Sequence, residues 1–328
     1  MDDDLNTIVK VRSLTKNFGD VPAVAGIDFD IRRGELFGFL GPNGAGKTTT
    51  INMLTGLARP DRGSIHIAGI DCTNNSKAAQ HLMGIVPDES NLYPELTGRE
   101  NLCFCGALYG MAKRDRESRA QELLGLFGLA AAAERKFAGY SKGMKRKLTI
   151  AAGIIHQPAL LFLDEPTTGI DVASARQIRQ LIADLNRAGT TIFLTTHYIE
   201  EAERLCGRIA FIVGGKIVRT DTVENLMHPT QKQQVMEFFV EGQASEVVGD
   251  LCVGFPELEI RRVEGGRLRV ASNQAVHIGP LVRFFEERGL EVTEVRKVQP
   301  TLEDVFVEIT GIEAVSVNRE KEKTGAAV

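Results

Sequence analysis

The amino-acid sequence predicts an α/β fold: a parallel-sheet core with a β-rich subdomain and a helical insertion, followed by a small α+β domain of ferredoxin-like order. Three observations predict it. A glycine-rich loop at 41–48 (G-P-N-G-A-G-K-T) lies between a short apolar run, 35–40 (E-L-F-G-F-L), and a helix-compatible stretch, 48–57. From 160 onward apolar runs alternate with helical segments, which implies strands joined by crossover helices in a parallel sheet. After 228 this alternation gives way to short elements in the order β-α-β-β-α-β.

Residues 8–14 alternate as a strand does, and a turn at 17–20 precedes a strand-like stretch at 27–31. A β-rich opening therefore leads into the loop. Segments 64–67 and 85–87 read as further strands, and 97–142 as an all-helical insertion rich in Ala, Leu, Arg, Lys and Glu. Strand 160–164, helix 172–187, strand 191–195, helix 199–205 and strand 208–213 complete the first domain. Its boundary is expected near His228-Pro229, giving domains 1–228 and 229–311. In the second, strand 235–241, helix 244–251, a hairpin of 258–263 and 267–272 through Gly265-Gly266, helix 278–288 and strand 291–298 are expected. The tail 312–328 is polar and reads as disordered.

A length of 328 residues, 43% of them hydrophobic and 25% charged, is that of a soluble globular chain with room for one large or two modest domains. The net charge of −4 and the pI of 6.0 provide no basic field, so no nucleic acid is expected as a partner. The five cysteines are odd in number and lack zinc-type spacing; they read as idle thiols of a reducing compartment. The first residues, M-D-D-D, are acidic where a signal peptide would be basic. The most apolar stretch, 148–163, is interrupted by His156, Gln157 and Pro158 and falls short of the roughly 18–20 residues that span a bilayer. A membrane role is expected only through a partner.

The spacing G-x-x-x-x-G-K-[ST] has a mechanical meaning. Glycines let the backbone of Gly41, Pro42, Asn43, Gly44, Ala45 and Gly46 curl so that its N–H groups point at a β-phosphate, and the following helix adds its positive end. Lys47 would then bridge the β- and γ-phosphates and Thr48, followed by Thr49, would ligate Mg²⁺, so ATP and Mg²⁺ are expected. The apolar strand 160–163 ends in Asp164-Glu165: Asp164 is placed to hold Mg²⁺ through water and Glu165 to polarise the attacking water. An isolated Asp-Glu pair would read as a solvated strand end. His197 closes another core strand, at the sheet edge where ligands bind, and can reach a γ-phosphate; alone it would read as structural. Residues 140–147 (Y-S-K-G-M-K-R-K) open a helix, with Ser141 and Gly143 offering a hydroxyl and N–H groups to an anion, while Arg146 and Lys147 read as a solvated face.

Over residues 8–228 these motifs together resemble the ATP-binding cassette family. The resemblance identifies a Walker A loop at 41–49, a glutamine-type loop at Pro87-Asp88, a signature motif at 140–144, a Walker B strand at 160–165, a D-loop at 168–171 that includes Asp171, and a switch histidine, His197. It implies that two cassettes pair head to tail, Ser141 and Gly143 of one clasping the γ-phosphate held by Lys47 of the other. Phe18 matches the aromatic that stacks on adenine, though alone it would read as core. Two residues depart from the pattern: Asp88 replaces the loop glutamine, still able to ligate Mg²⁺, and Lys142 replaces the first glycine of the signature.

Both departures, and the segment 299–306 (Q-P-T-L-E-D-V-F), resemble the daunorubicin-resistance exporter branch of the family. That branch implies a Mg-dependent ATPase with Glu165, His197 and Lys47 as its catalytic set. It also implies a homodimer or heterodimer, held at the cytoplasmic face of the cell membrane by an integral-membrane permease. The C-terminal domain reads as a dimer-stabilising or permease-bracing appendage, with a ligand sensor as the other reading. Two alternatives stand beside the exporter: a soluble cassette ATPase, for which the tandem cassettes or coiled-coil insertion are missing, and an ATP-gated clamp with little hydrolysis, suggested by Asp88 and Lys142.

Overall fold

In the computed structural model, which describes residues 6–231, 234–242, 247–263, 266–272, 274–299 and 301–312, the chain opens with two antiparallel 12-residue strands, β1 (Thr7–Phe18) and β2 (Val21–Arg32). Both outrun their local patterns because the pairing continues to Phe18 opposite Val21, around the turn at Gly19-Asp20. After β3 (Leu36–Leu40) and α1 (Lys47–Thr55), strands β4 (Arg62–Ile67) and β5 (Ile70–Asp71) complete a four-stranded antiparallel sheet of order β2-β1-β4-β5. Next come β6 (Met83–Val86) and the inserted helices α2 (Gly98–Leu108), α3 (Lys113–Leu126) and α4 (Lys142–Gly153). A reciprocal capping box between Thr97 and Glu100 starts α2.

Strand β7 (Leu160–Asp164), α5 (Val172–Arg187), β8 (Thr191–Thr196), α6 (Ile199–Leu205), β9 (Arg208–Val213) and β10 (Lys216–Thr222) follow. They form with β3 and β6 a sheet of order β10-β9-β3-β8-β7-β6, parallel except for β10. Every residue of β3, β7 and β8 is buried, as near-continuous apolar strands covered on both faces must be. The edge strand β10 has too polar a sequence to announce itself. Phe193 of β8 sits at the centre, its ring 5.3–6.0 Å from those of Phe29, Phe37, Phe39 and Phe162, so one aromatic cluster joins both sheets. The parallel strands send their carboxyl ends to one edge, and the order β3-β8-β7-β6 lines up there the glycine-rich loop, His197, Asp164-Glu165 and Asp88.

A second unit spans Glu224–Gly311. Its first residue lies at the start of α7 (Val223–Gln231), the helix that runs through the boundary expected at His228-Pro229. Beyond α7 come β11 (Gln234–Glu241), α8 (Val248–Gly254), β12 (Glu259–Val263), β13 (Arg267–Ser272), α9 (Ile278–Glu286), β14 (Glu291–Val298) and α10 (Leu302–Thr310). The sheet is antiparallel with order β12-β13-β11-β14, the ferredoxin-like arrangement, and Phe238, Leu251, Leu268, Leu281 and Phe285 fill its core. Helix α8 begins later than the stretch 244–251 suggests; residues 243–246, Gly265 of the hairpin turn, and 313–328 of the expected disordered tail lie outside the described residues. Among the described residues no helix is long and apolar enough to cross a membrane.

Candidate functional site

The loop between β3 and α1 is tight enough to require its glycines. Gly44 and Gly46 adopt φ of +75° and +105°, and a Cβ on Gly46 would lie 2.4 Å from the carbonyl oxygen of Ala23. A Cβ on Gly41 would lie 2.1 Å from the carbonyl oxygen of Ile212, so the loop is pressed against the backbone of both sheets. Gly46 is the N-cap of α1 and offers no capping side chain, leaving the first-turn N–H groups and the helix dipole to an anion. Asn43, Gly44, Gly46, Lys47, Thr48 and Thr49 line a cavity of about 220 Å³ together with Ala23, Asp88 and Glu165. Lys47 is buried. Its Nζ donates to the carbonyls of Gly41 and Pro42 at 2.8 and 3.2 Å and lies 3.3 Å from Oε1 of Glu165, while the carbonyl of Ala45 accepts from Gly215 at 3.1 Å.

Glu165 follows β7 with φ +49°, a left-handed conformation that costs a non-glycine residue about 1–3 kcal/mol where the surroundings enforce it. Its N–H donates to the carbonyl of Thr195 at 3.0 Å. Its Oε2 accepts from Nδ1 of His197 at 2.7 Å and from Oγ1 of Thr168 at 3.0 Å. Burial pushes the Glu165 carboxyl up, but the His197 hydrogen bond, the Lys47 charge and the Thr168 hydroxyl together hold it below the ordinary glutamate value. An ionised carboxylate only accepts, so the His197 proton at this contact sits on Nδ1. Asp164, opposite Thr195 in the β7–β8 ladder, accepts from Thr195 Oγ1 at one carboxylate oxygen and from Thr48 Oγ1, at 2.9 Å, at the other.

The remaining expected site residues lie elsewhere in the unit, and none of them lines this cavity. Phe18, at the end of β1, is 57% exposed, with Lys16 Nζ 5.6 Å from its ring centre. Ser141 caps α4 by accepting from Met144 N–H at 3.3 Å, and Asp171 caps α5 by accepting from Ser174 N–H at 2.9 Å. Gly143 lets the starts of these two helices meet: a Cβ there would lie 2.5 Å from Ser174 Oγ. One chain thus gathers the loop, Asp88, Asp164, Glu165 and His197, and holds Ser141, Gly143 and Asp171 as a second group.

Residues 24–168 match the model of the ABC transporter family. The chain is 35% identical over 309 residues to the linearmycin resistance ATP-binding protein LnrL of Bacillus subtilis, across 93% of this chain and 98% of that protein. The chain belongs to the ABC transporter family. This ABC ATPase is also 36% identical to the daunorubicin resistance ATP-binding protein DrrA3 of Streptomyces coeruleorubidus (93% and 96% covered) and 35% identical to the Nod factor export ATP-binding protein I of Rhizobium etli (94% and 94%). Among solved structures it is similar to an ATP-binding subunit of an ABC transporter, with a TM-score of 0.62, 29% identity, and 68% of this chain and 92% of the other covered. It is likewise similar to a dimeric post-hydrolysis ATP-binding cassette bound to ADP and Pi, with a TM-score of 0.61, 27% identity, and 66% and 99% covered.

The donor set of the ABC ATPase suits a hard cation. Thr48 Oγ1 and a carboxylate oxygen of Asp164 lie 2.9 Å apart, Thr48 and Asp88 line the same cavity, and no cluster of three or more His, Cys, Asp or Glu occurs among the described residues. Mg²⁺ fits such a site, since it takes one or two carboxylates and completes its shell with phosphates and water. Thr168, at the start of the D-loop segment, and Thr195 orient the two carboxylates, a role their places in the sequence do not announce, and Arg146 is not where its sequence context puts it. Expected on a solvated face, Arg146 is 5% exposed and donates to four backbone carbonyls. Its spacing carried a signal: Gly143, Arg146, Ile150 and Gly153 share a helical face, and all four are buried.

Proposed function

We propose that this chain is the Mg²⁺-dependent, ATP-hydrolysing subunit of an exporter. In this reading it pairs with a second cassette and drives a separate integral-membrane permease from the cytoplasmic face of the cell membrane, in drug or antibiotic efflux. The observation that carries the reading is the placement of Glu165: an ionised carboxylate in a strained conformation, aimed at the cavity of the glycine-rich loop between Lys47 and His197. The names of the resistance and export relatives support the transport role.

In this mechanism the loop N–H groups from Gly44 to Thr48 and the start of α1 hold the β-phosphate of ATP. Lys47 exchanges its loop carbonyls and Glu165 for phosphate oxygens. Thr48, Asp164 and Asp88 would hold Mg²⁺, which when bound neutralises phosphate charge. Glu165, released from Lys47 and still oriented by His197 and Thr168, takes the proton of the attacking water. His197 and Lys47 counter the charge that develops on the transferring group. Ser141, Gly143 and Asp171 would act on the nucleotide of the opposing cassette; their separation from the phosphate cavity within one chain supports this, as does the dimeric form of a similar solved cassette. Exposed Phe18 is suited to stack on adenine. The unit Glu224–Gly311 is an accessory domain that steadies the dimer or braces the permease.

The test isolates the tagged chain from gently solubilised native membranes, identifies what co-purifies, and measures phosphate release with and without a chelator. A polytopic membrane protein in stoichiometric amount and chelator-sensitive hydrolysis are expected. Hydrolysis by a chain recovered only in the soluble fraction would replace the exporter with a soluble motor; ATP binding without phosphate release would leave a clamp.

A further inference from the structure

Arg146 occupies the interior of α4, the helix that Ser141 opens, and a buried guanidinium persists only where its donors are matched. Nε donates to the carbonyl of Pro166 at 2.9 Å and Nη2 to the carbonyl of Asp164 at 2.5 Å. Nη1 donates to the carbonyls of Pro87 and of Asp88, the latter at 3.0 Å. Two of these acceptors flank Glu165 in sequence. The Asp164 carbonyl belongs to the peptide whose N–H is that of Glu165, and this N–H donates to the Thr195 carbonyl at 3.0 Å. The peptide that sets φ of Glu165 is therefore held at both ends, by α4 on one side and β8 on the other. The other two acceptors lie in the loop that carries Asp88. One turn along α4 a second tie reaches the same loop, where the hydroxyls of Thr149 and Ser90 are 2.6 Å apart. Burial lowers the Arg146 pKa, and the charges of Asp88, Asp164, Glu201 and Glu165 oppose that shift.

We propose that Arg146 is a positioning residue for hydrolysis: by hydrogen-bonding the carbonyls on both sides of Glu165 it holds that residue in its left-handed conformation, and by the same fork it ties Glu165 to the Asp88 loop. The proposal rests on the reading of Glu165 as the water-activating base. It gives α4 a mechanical task. A shift of Ser141 at the start of the helix is passed by Arg146 to the carboxylate that activates water and to the Asp88 side of the cavity. The planar fork suits this task, since four carbonyls from separate segments are met by one rigid group; the ammonium of a lysine has three donors on one atom and cannot span them.

The test compares wild-type, Glu165→Gln and Arg146→Lys full-length chains for steady-state phosphate release, ATP affinity and thermal unfolding. Arg146→Lys is expected to lower kcat by about tenfold or more with a clearly smaller loss of ATP affinity, because the phosphate loop is untouched while the base and the Asp88 loop lose their common tie. A kcat within about twofold of wild type overturns the proposal, as does a parallel fall of kcat, affinity and Tm, the mark of a merely structural arginine. Failure of the underlying reading looks different: the wild type releases no phosphate, or Glu165→Gln hydrolyses as the wild type does. Should Arg146→Lys not fold, Ser90→Ala removes the neighbouring tie alone. About a threefold loss of kcat at unchanged affinity is then expected, the worth of one neutral hydrogen bond, and an unchanged kcat refutes the coupling.

Discussion

Replacing Glu165 by Gln removes one negative charge and almost no volume, so the structure predicts two opposite effects on ATP. The amide oxygen can still accept from His197 Nδ1 and Thr168 Oγ1, which lie 2.7 and 3.0 Å from Oε2, and Lys47 keeps the carbonyls of Gly41 and Pro42. The fold around β7 therefore persists. An amide cannot take the proton of the attacking water, and loss of a positioned general base costs about 10²–10⁴ in rate, or about 3–5 kcal/mol of barrier. Binding moves the other way. The carboxylate 3.3 Å from Lys47 competes with phosphate for that ammonium and repels the phosphate oxygens. At an effective dielectric between those of protein and water this repulsion is worth about 1–2 kcal/mol, so ATP should bind roughly five- to thirty-fold more tightly. Phosphate release measures the first effect and titration with a fluorescent ATP analogue the second. A variant that hydrolyses at the wild-type rate, or one that loses hydrolysis and affinity together, would overturn this role for Glu165.

Two further outcomes follow from buried charges. Glu201 of α6 accepts from Thr167 Oγ1 at 2.9 Å through one oxygen, and its other oxygen is buried with no hydrogen-bond partner. Burial raises its pKa above the ordinary 4.5 against the opposing effect of the Thr167 and Thr196 hydroxyls, so the stability it contributes is fully present below about pH 4.5 and is lost as pH rises through the raised value. Glu201→Gln should therefore gain in Tm relative to wild type as the pH is raised from about 4.5 towards 8, and a Tm difference independent of pH would sink the idea. In the second unit, Arg269 of β13 pairs with Asp304, which caps α10 with Thr301, and lies 3.5 Å from Glu237. Arg269→Met leaves two partly buried carboxylates unpaired and should cost about 1–3 kcal/mol in chemical unfolding of the full chain; a loss below about 0.5 kcal/mol would mean that solvent already screens the cluster.

The parts of this protein whose chemistry is local can be read from the order of its residues. The curl of residues 41–48 needs glycine at Gly44 and Gly46 because of their positive φ, and a lysine and a hydroxyl must follow at the helix start. The strand ends at Asp164-Glu165 and His197 were legible because short apolar runs, 160–163 and 192–194, lead into the polar residues that close each strand. The two runs of elements, one with crossover helices and one in ferredoxin-like order, were legible for the same reason. Which strands become neighbours emerges from the folded chain, and with it that Thr48 and Thr195 meet on either side of Asp164 and that Lys47 and His197 meet at Glu165. The fold also leaves Ser141, Gly143 and Asp171 out of the lining of the phosphate cavity. Arg146 shows the physical reason. Its partners are backbone carbonyls 18 to 59 positions away, and every residue type carries a carbonyl, so nothing in the order of side chains marks where a fold will bring four of them together.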